Sequence, residues 1–205
     1  MRIDCAAALA AFMAVLGTSP VHAVPLTFSF AGSVTNDPFG LSSFGAPITG
    51  SYTFDSTATD AIANPNTGSY PSTGLVFGFA ANVDGTDYAV PGTLTVNIAN
   101  NIGVDQYGVI ATDGTLTLEL FFEDATQTAL ATDALPLKPP ALGDFASRQF
   151  RLFSPDAEFF GSVDVLTCTA GCVNGGGGGT APEPPTAWLL ALSLVSLLVR
   201  RLGER

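Results

Sequence analysis

The stretch LTFSFAGSV, residues 26–34, places an apolar residue or glycine at every second position. Leu26, Phe28 and Phe30 therefore share one face of an extended chain, and the mostly hydroxyl-bearing residues between them share the other. This alternation is typical of a β-strand that buries one face in a core and exposes the other to water. The stretch predicts one strand of a half-buried antiparallel sheet.

The same period of two recurs through the middle of the chain. Apolar residues or glycine take every second position over residues 48–54, 75–83, 94–98, 116–122 and 159–165. At Leu75 and Val165, as at the other alternating positions, the pattern predicts side chains that point into the core.

Turn-forming dipeptides separate these stretches. Asp84-Gly85 and Asp113-Gly114 favour tight hairpin turns, which require positive φ angles. Residues 124–145 lack the alternation and predict a long loop. Together, the strands and turns predict one all-β domain over residues 24–174, an antiparallel β-sandwich or jelly roll of roughly eight to ten strands.

The first 23 residues have the composition of a secretory signal peptide. Arg2 supplies a positive charge, residues 6–16 form an apolar run, and the small residue Ala23 precedes the predicted cleavage point. Cleavage by signal peptidase would remove His22, which is the only histidine of the chain.

Cleavage would also remove Cys5 and leave two cysteines, Cys168 and Cys172. An even number of cysteines in an oxidising compartment favours a disulfide between them. A metal site is the alternative, although two thiols without a histidine are a poor ligand set.

The mature chain is strongly acidic. Residues 24–181 contain 15 acidic and three basic side chains, a formal charge of −12. A field of this sign repels nucleic acid and anionic membrane surfaces, so neither is a predicted partner.

The C-terminal end combines a linker with a short apolar segment. Residues 175–181 include five consecutive glycines and predict a flexible linker. The apolar residues 187–199 predict a transmembrane helix of about 20 Å, which is shorter than the roughly 30 Å hydrocarbon core. This length favours a segment that is recognised and then removed, and a permanent membrane anchor is the alternative.

Charged and proline residues flank the predicted helix. Pro182, Glu183 and Pro184 precede it, and Arg200 and Arg201 follow it. Basic residues after the helix predict a cytoplasmic C-terminus, which agrees with an exported domain on the other side.

The segment 182–205, with its proline–glutamate–proline motif, apolar helix and basic end in this order, resembles the PEP-CTERM sorting signal of Gram-negative bacteria. The resemblance implies that an exosortase, a membrane cysteine transpeptidase, processes the chain. It also implies association with an exopolysaccharide or biofilm matrix. Together with the signal peptide and the short helix, it predicts export through the inner membrane, insertion of the helix until processing, and a final place at the cell surface or in the extracellular matrix.

Catalytic groups are scarce. Without histidine, the mature chain has neither a Ser-His-Asp nor a Cys-His arrangement, and no catalytic residue is predicted. Glu119 and Glu123 would lie on one strand face with α-carbons about 13 Å apart, which is a poor fit for a glycosidase pair. Asp156 and Glu158 are closer in sequence and indicate a solvated turn more than an acid–base couple.

Two turn segments are candidates for calcium. One segment contains Asp84 and Asp87, and the other contains Asp55 and Asp60. Both combine carboxylates with hydroxyl groups, which suit a hard cation. No other cofactor is predicted.

Three aromatic residues, Phe121, Phe153 and Phe160, fall on the outward side of their strands by alternation. Flat rings can stack on sugars, although packing explains most such residues. The sequence therefore favours an exported matrix protein of unknown molecular activity. A carbohydrate-binding module, with or without calcium, is the alternative, and a carboxylate-based glycoside hydrolase is a more remote third.

Overall fold

The computed structural model describes residues 23–172. Most of the predicted signal peptide, the linker 175–181 and the segment 182–205, with Pro182, Glu183, Pro184, Arg200 and Arg201, lie outside the described residues. Over the part of the chain that is described, no helix is long and apolar enough to cross a membrane.

The fold is an antiparallel meander of eight strands. The strands are β1 Pro25–Asn36, β2 Pro47–Asp55, β3 Thr67–Val83, β4 Thr86–Ala99, β5 Asp105–Thr112, β6 Thr117–Asp124, β7 Ser147–Phe153 and β8 Glu158–Ala170. Each strand pairs with the next, and β8 pairs with β1, so the sheet closes into a barrel. The one helical element between residues 23 and 172 is a 3-10 turn at Leu142–Asp144.

The prediction of an all-β antiparallel domain is confirmed, whereas the sandwich or jelly-roll arrangement is wrong. Eight strands are hydrogen-bonded in sequence order into one closed sheet instead of two facing sheets. Alternation shows that each strand has one buried face, but it does not show which strands pair. The pairing of β1 with β8 that closes the barrel joins residues more than a hundred positions apart, such as Phe30 and Leu166.

The interior of the barrel is filled by aromatic and aliphatic side chains, as an eight-stranded barrel allows. Phe28 lies edge-on to both Tyr52 and Phe54, with ring centroids 5.6 and 5.4 Å apart, and all three side chains are completely buried. Burial of each large apolar side chain contributes about 1.5–3 kcal/mol. The inward rows of β1, β2, β4 and β6 are those that the sequence predicts.

Two predicted inward residues are instead exposed. Leu75 is 93 % exposed and Val165 is 48 % exposed. The register between β3 and β4 jumps between Thr73 and Gly78, so the chain bulges outward at Leu75 and the alternation restarts after it. The pairing of β8 with β1 shifts just before Val165, with the same consequence for its side chain.

Buried carboxylates hold the predicted long loop between β6 and β7. Asp124 accepts backbone N–H bonds from Thr126 and Thr128, each at 2.9 Å, and also accepts bonds from both threonine hydroxyls. These bonds lower the pKa of Asp124 from its ordinary value to about 2. Asp105, which is completely buried, accepts the N–H of Leu130 at 2.9 Å. The two carboxylates thus anchor the start of the loop to the barrel end.

The predicted disulfide is present between Cys168 and Cys172, at the end of β8. It closes a loop of three intervening residues, so the constraint on the unfolded chain is small. Both predicted hairpin turns are also present, with Asp84, Gly85 and Gly114 at positive φ.

Candidate functional site

A row of outward-facing residues crosses four neighbouring strands at one level of the barrel. Asn97 on β4 lies opposite Gly108 on β5, and Gly108 lies opposite Phe121 on β6. Phe121 in turn lies opposite Gln149 on β7. Because directly opposed residues are about 4.5–5.5 Å apart, the missing side chain at Gly108 separates Asn97 from Phe121 and opens a gap in the sheet surface.

Packing does not require glycine at this position. A Cβ atom built on Gly108 would meet only the Asn97 carbonyl oxygen at 3.7 Å and its Cβ at 3.8 Å, which are ordinary contacts. Gly108 is also absent from the glycines with positive φ. Gly50 differs, since a Cβ there would overlap the Phe30 ring and lie 2.5 Å from the Ala80 carbonyl oxygen. Gly108 therefore keeps a surface groove open without serving the core.

The groove has a volume of about 380 Å³ and is open to solvent. Phe121 forms an aromatic wall, and Glu119, Gln106 and Asn97 supply carboxylate and amide groups around the glycine floor. Two exposed residues, Ile62 and Ile102, also line the groove. The groove thus combines an accessible ring with hydrogen-bonding groups and little charge beyond one carboxylate.

Arg151 fixes the position of the Phe121 ring. Its guanidinium carbon lies 4.4 Å from the ring centroid, a cation–π contact of about 0.5–1 kcal/mol at a partly exposed site. Gln149 Oε1 accepts from Arg151 Nε at 3.0 Å and from Nη2 at 2.8 Å, and Glu119 Oε2 lies 3.4 Å from Nη1. These contacts hold one face of the ring against Arg151, so the ring is a preorganised wall.

The polar groups beside the groove are also partly ordered. Ser69 Oγ donates to Asn97 Oδ1 at 2.9 Å, which leaves the Asn97 amide nitrogen outside that bond. Gln106 Nε2 donates to Glu123 Oε2 at 3.3 Å. Amide groups held in this way can both donate to and accept from the hydroxyl groups of a ligand, and the carboxylates can accept from them.

The structure places the predicted aromatic residues on the outside of the barrel. Phe121 lines the groove, whereas Phe153 lies one strand further round on β7 and Phe160 two strands further round on β8. These two rings contact each other, with ring centroids 5.8 Å apart. Glu119 and Glu123, which the sequence analysis finds a poor fit for a glycosidase pair, have other partners: Glu119 contacts Arg151 and Glu123 contacts Gln106.

The calcium candidates lie in two separate segments, Asp55 with Asp60 and Asp84 with Asp87, and each carboxylate accepts hydrogen bonds from the protein. Asp55 accepts the Val24 N–H and the Thr57 hydroxyl, and Asp60 accepts the N–H groups of Ile62 and Ser69. Asp84 accepts from the Ser42 hydroxyl, and Asp87 accepts from the Asn82 amide. These bonds stabilise turns and strand contacts, and the bond to Asp84 joins the β3–β4 turn to the β1–β2 loop. Among residues 23–172, no three His, Cys, Asp or Glu side chains are grouped so that they could hold a metal ion.

Sequence reasoning missed Gly108, Gln106 and Asn97. A glycine inside a strand pattern can signal a close approach of another molecule, and Gly108 was such a signal. The strand register places Asn97 and Phe121 on either side of Gly108. Only the structure gives this register, so the sequence alone could not show that Gly108 forms part of a groove. Comparison with models of protein families, with curated proteins and with solved structures found no match for this chain.

Proposed function

We propose that this chain is an exported protein of the cell surface or extracellular matrix, and that its barrel binds a polysaccharide of that matrix in the groove beside Phe121. The activity is binding and not catalysis. The observation that carries the proposal is the groove itself, in which a glycine floor exposes an aromatic wall next to amide and carboxylate groups.

Sugars suit a groove of this chemistry. The C–H face of a pyranose ring is apolar and can pack on an aromatic ring, while its hydroxyl groups need donors and acceptors at the edges. Phe121 offers the ring, and Asn97, Gln106 and Glu119 offer the polar groups. Because Arg151 holds the ring in place, little side-chain entropy is lost when a ligand binds.

The charge of the domain favours a neutral glycan. The acidic side chains outnumber the basic ones by 12 over residues 24–181. Arg151, the cation beside the groove, is already paired with Glu119. A polyanionic chain would therefore meet repulsion, whereas neutral sugars would not.

Export rests on the two terminal segments. The signal peptide predicted over residues 1–23 supports transport across the inner membrane, and the resemblance of residues 182–205 to the PEP-CTERM signal supports processing by an exosortase. An acidic, disulfide-containing domain fits the oxidising exterior.

A pull-down with the extracellular polysaccharide of the producing cell tests this function. The exported protein is expected to bind the immobilised polysaccharide, and Phe121→Ala is expected to weaken binding about tenfold or more, equivalent to about 1.4 kcal/mol. Phe44→Ala is the control, because Phe44 is 85 % exposed in the β1–β2 loop and does not line the groove. Equal binding by wild type and Phe121→Ala would refute the proposal.

A further inference from the structure

The outward face of β6, β7 and β8 carries aromatic residues beyond the groove. Phe153 and Phe160 lie edge-to-face with ring centroids 5.8 Å apart, and Phe153 is 37 % exposed. Neither ring belongs to the buried core of the barrel. Two outward rings on neighbouring strands thus form a second aromatic feature, separate from Phe121.

Arg151 connects this pair to the groove. It lies opposite Glu119 on β6 and opposite Phe160 on β8, and its guanidinium group covers the Phe121 ring. The outward surface is therefore continuous from Gly108 through Phe121 and Arg151 to Phe160. Since neighbouring strands are about 4.8 Å apart, the three steps from β5 to β8 cover about 14 Å around the curved surface of the barrel.

We infer that the polysaccharide-binding surface extends from the groove over Arg151 to the Phe153–Phe160 pair. The ligand is then a neutral polysaccharide chain that binds along its length, and not a single sugar or a chain end. This inference rests on the proposed function, since it assumes that the groove binds sugar, and it adds the length and orientation of the ligand.

The contacts along this extended surface, from Gly108 through Phe121 and Arg151 to the Phe153–Phe160 pair, suit successive sugar units. Hydrogen bonds to Gln149 and Glu119 use three of the five N–H donors of Arg151, and the other two are available to hydroxyl groups of a bound chain. Phe121 at one end and the Phe153–Phe160 pair at the other offer separate stacking surfaces. Because the groove is open to solvent, a chain bound in it can continue from Phe121 towards Arg151 and Phe160.

A fragment-length series tests the inference. The extracellular polysaccharide of the producing cell is partially hydrolysed and sorted into disaccharides and long fragments, and the affinity of the exported protein for each is measured by calorimetry. Wild type is expected to bind long fragments at least tenfold more tightly than disaccharides. The double variant Phe153→Ala/Phe160→Ala is expected to lose that difference and to keep the wild-type affinity for disaccharides, which also shows that the barrel is folded.

Three outcomes separate the two proposals. If the double variant binds long fragments as tightly as wild type does, the extension of the binding surface to Phe153 and Phe160 is wrong. If disaccharides bind with dependence on Phe121 and fragment length has no effect, the groove stands and the extension fails. If no fragment binds to the wild-type protein, the proposed function itself fails, and the inference fails with it.

Discussion

The hydroxyl groups of Tyr52 and Tyr107 are hydrogen-bonded to each other at 2.8 Å inside the barrel, and both side chains are completely buried. Burial raises the pKa of both tyrosines, so both hydroxyls stay protonated. One hydroxyl donates and the other accepts, so this bond gives both a partner in a core that otherwise consists largely of aromatic and aliphatic side chains. The pair joins β2 to β5, which are not neighbours in the sheet.

Removal of one hydroxyl of this pair is expected to lower the free energy of unfolding more than removal of both. Tyr52→Phe or Tyr107→Phe alone leaves a buried hydroxyl without its partner, which lowers the free energy of unfolding by about 1–3 kcal/mol. The double variant leaves no buried hydroxyl and is expected to be no less stable than either single variant. Urea denaturation of the four proteins measures the coupling, and additive losses would contradict the role assigned to the pair.

The stability of the protein is expected to depend on Asp124 at acid pH. Its pKa is about 2 in the folded protein, below the ordinary value of 3.8. Since the folded state holds the proton less tightly, the stabilisation is complete above about pH 3.8 and is lost as the pH falls towards 2. Unfolding free energies measured across this window are expected to fall less steeply for Asp124→Asn than for wild type, and parallel curves would exclude this role.

Replacement by alanine is expected to change the free energy of unfolding little at Gly108 and to lower it at Gly50. Gly108→Ala adds a Cβ that makes only ordinary contacts, so the free energy of unfolding is expected to change by about 0.5 kcal/mol or less. Gly50→Ala forces its Cβ against the Phe30 ring and the Ala80 carbonyl, and a loss of about 1–3 kcal/mol is expected. Thermal and urea unfolding provide the comparison. A large loss for Gly108→Ala would mean that the core, and not the groove, needs this glycine.

The mature protein is expected to be shorter than the encoded chain at both ends. Cleavage after Ala23 and removal of the tail beyond the Pro182-Glu183-Pro184 segment would leave neither Met1 nor Arg205. Intact-mass analysis of the exported protein measures both ends together. Recovery of a chain that still ends at Arg205 would argue for a permanent anchor in place of a processed sorting signal.

The strands that the sequence predicts well are those with uninterrupted alternation. β1, β2, β4 and β6 have regular inward rows, and their burial follows the pattern. β5 was not predicted, and β7 was predicted only through the outward position of Phe153. Gly108 lies in the middle of β5, and β7 contributes only Phe150 and Leu152 to the core. Local alternation is a property of one strand, so it also could not reveal the bulge that exposes Leu75 or the closure of the barrel.

The candidate site was predictable only in part. Alternation correctly placed Phe121, Phe153 and Phe160 outside the barrel. The groove depends on the alignment of Asn97, Gly108 and Phe121 across three strands, which is a property of register and not of any one stretch of sequence. The calcium sites at Asp55 with Asp60 and at Asp84 with Asp87 stay predictions, and in the structure each of these carboxylates accepts a hydrogen bond from the protein.

The central claim is that the groove beside Gly108 binds polysaccharide, and calorimetric titration tests it most directly. The protein is titrated with the extracellular polysaccharide of its producing cell, as wild type and as the variants Gly108→Leu and Gly143→Ala. Gly143→Ala is the matched control, because a Cβ there meets nothing within 4 Å and the residue lies outside the groove. We expect wild type and Gly143→Ala to bind the polysaccharide equally. Gly108→Leu is expected to lose at least tenfold in affinity, because its side chain fills the groove floor. Its unfolding curve is expected to stay close to that of wild type. Undiminished binding by a folded Gly108→Leu protein would contradict the account.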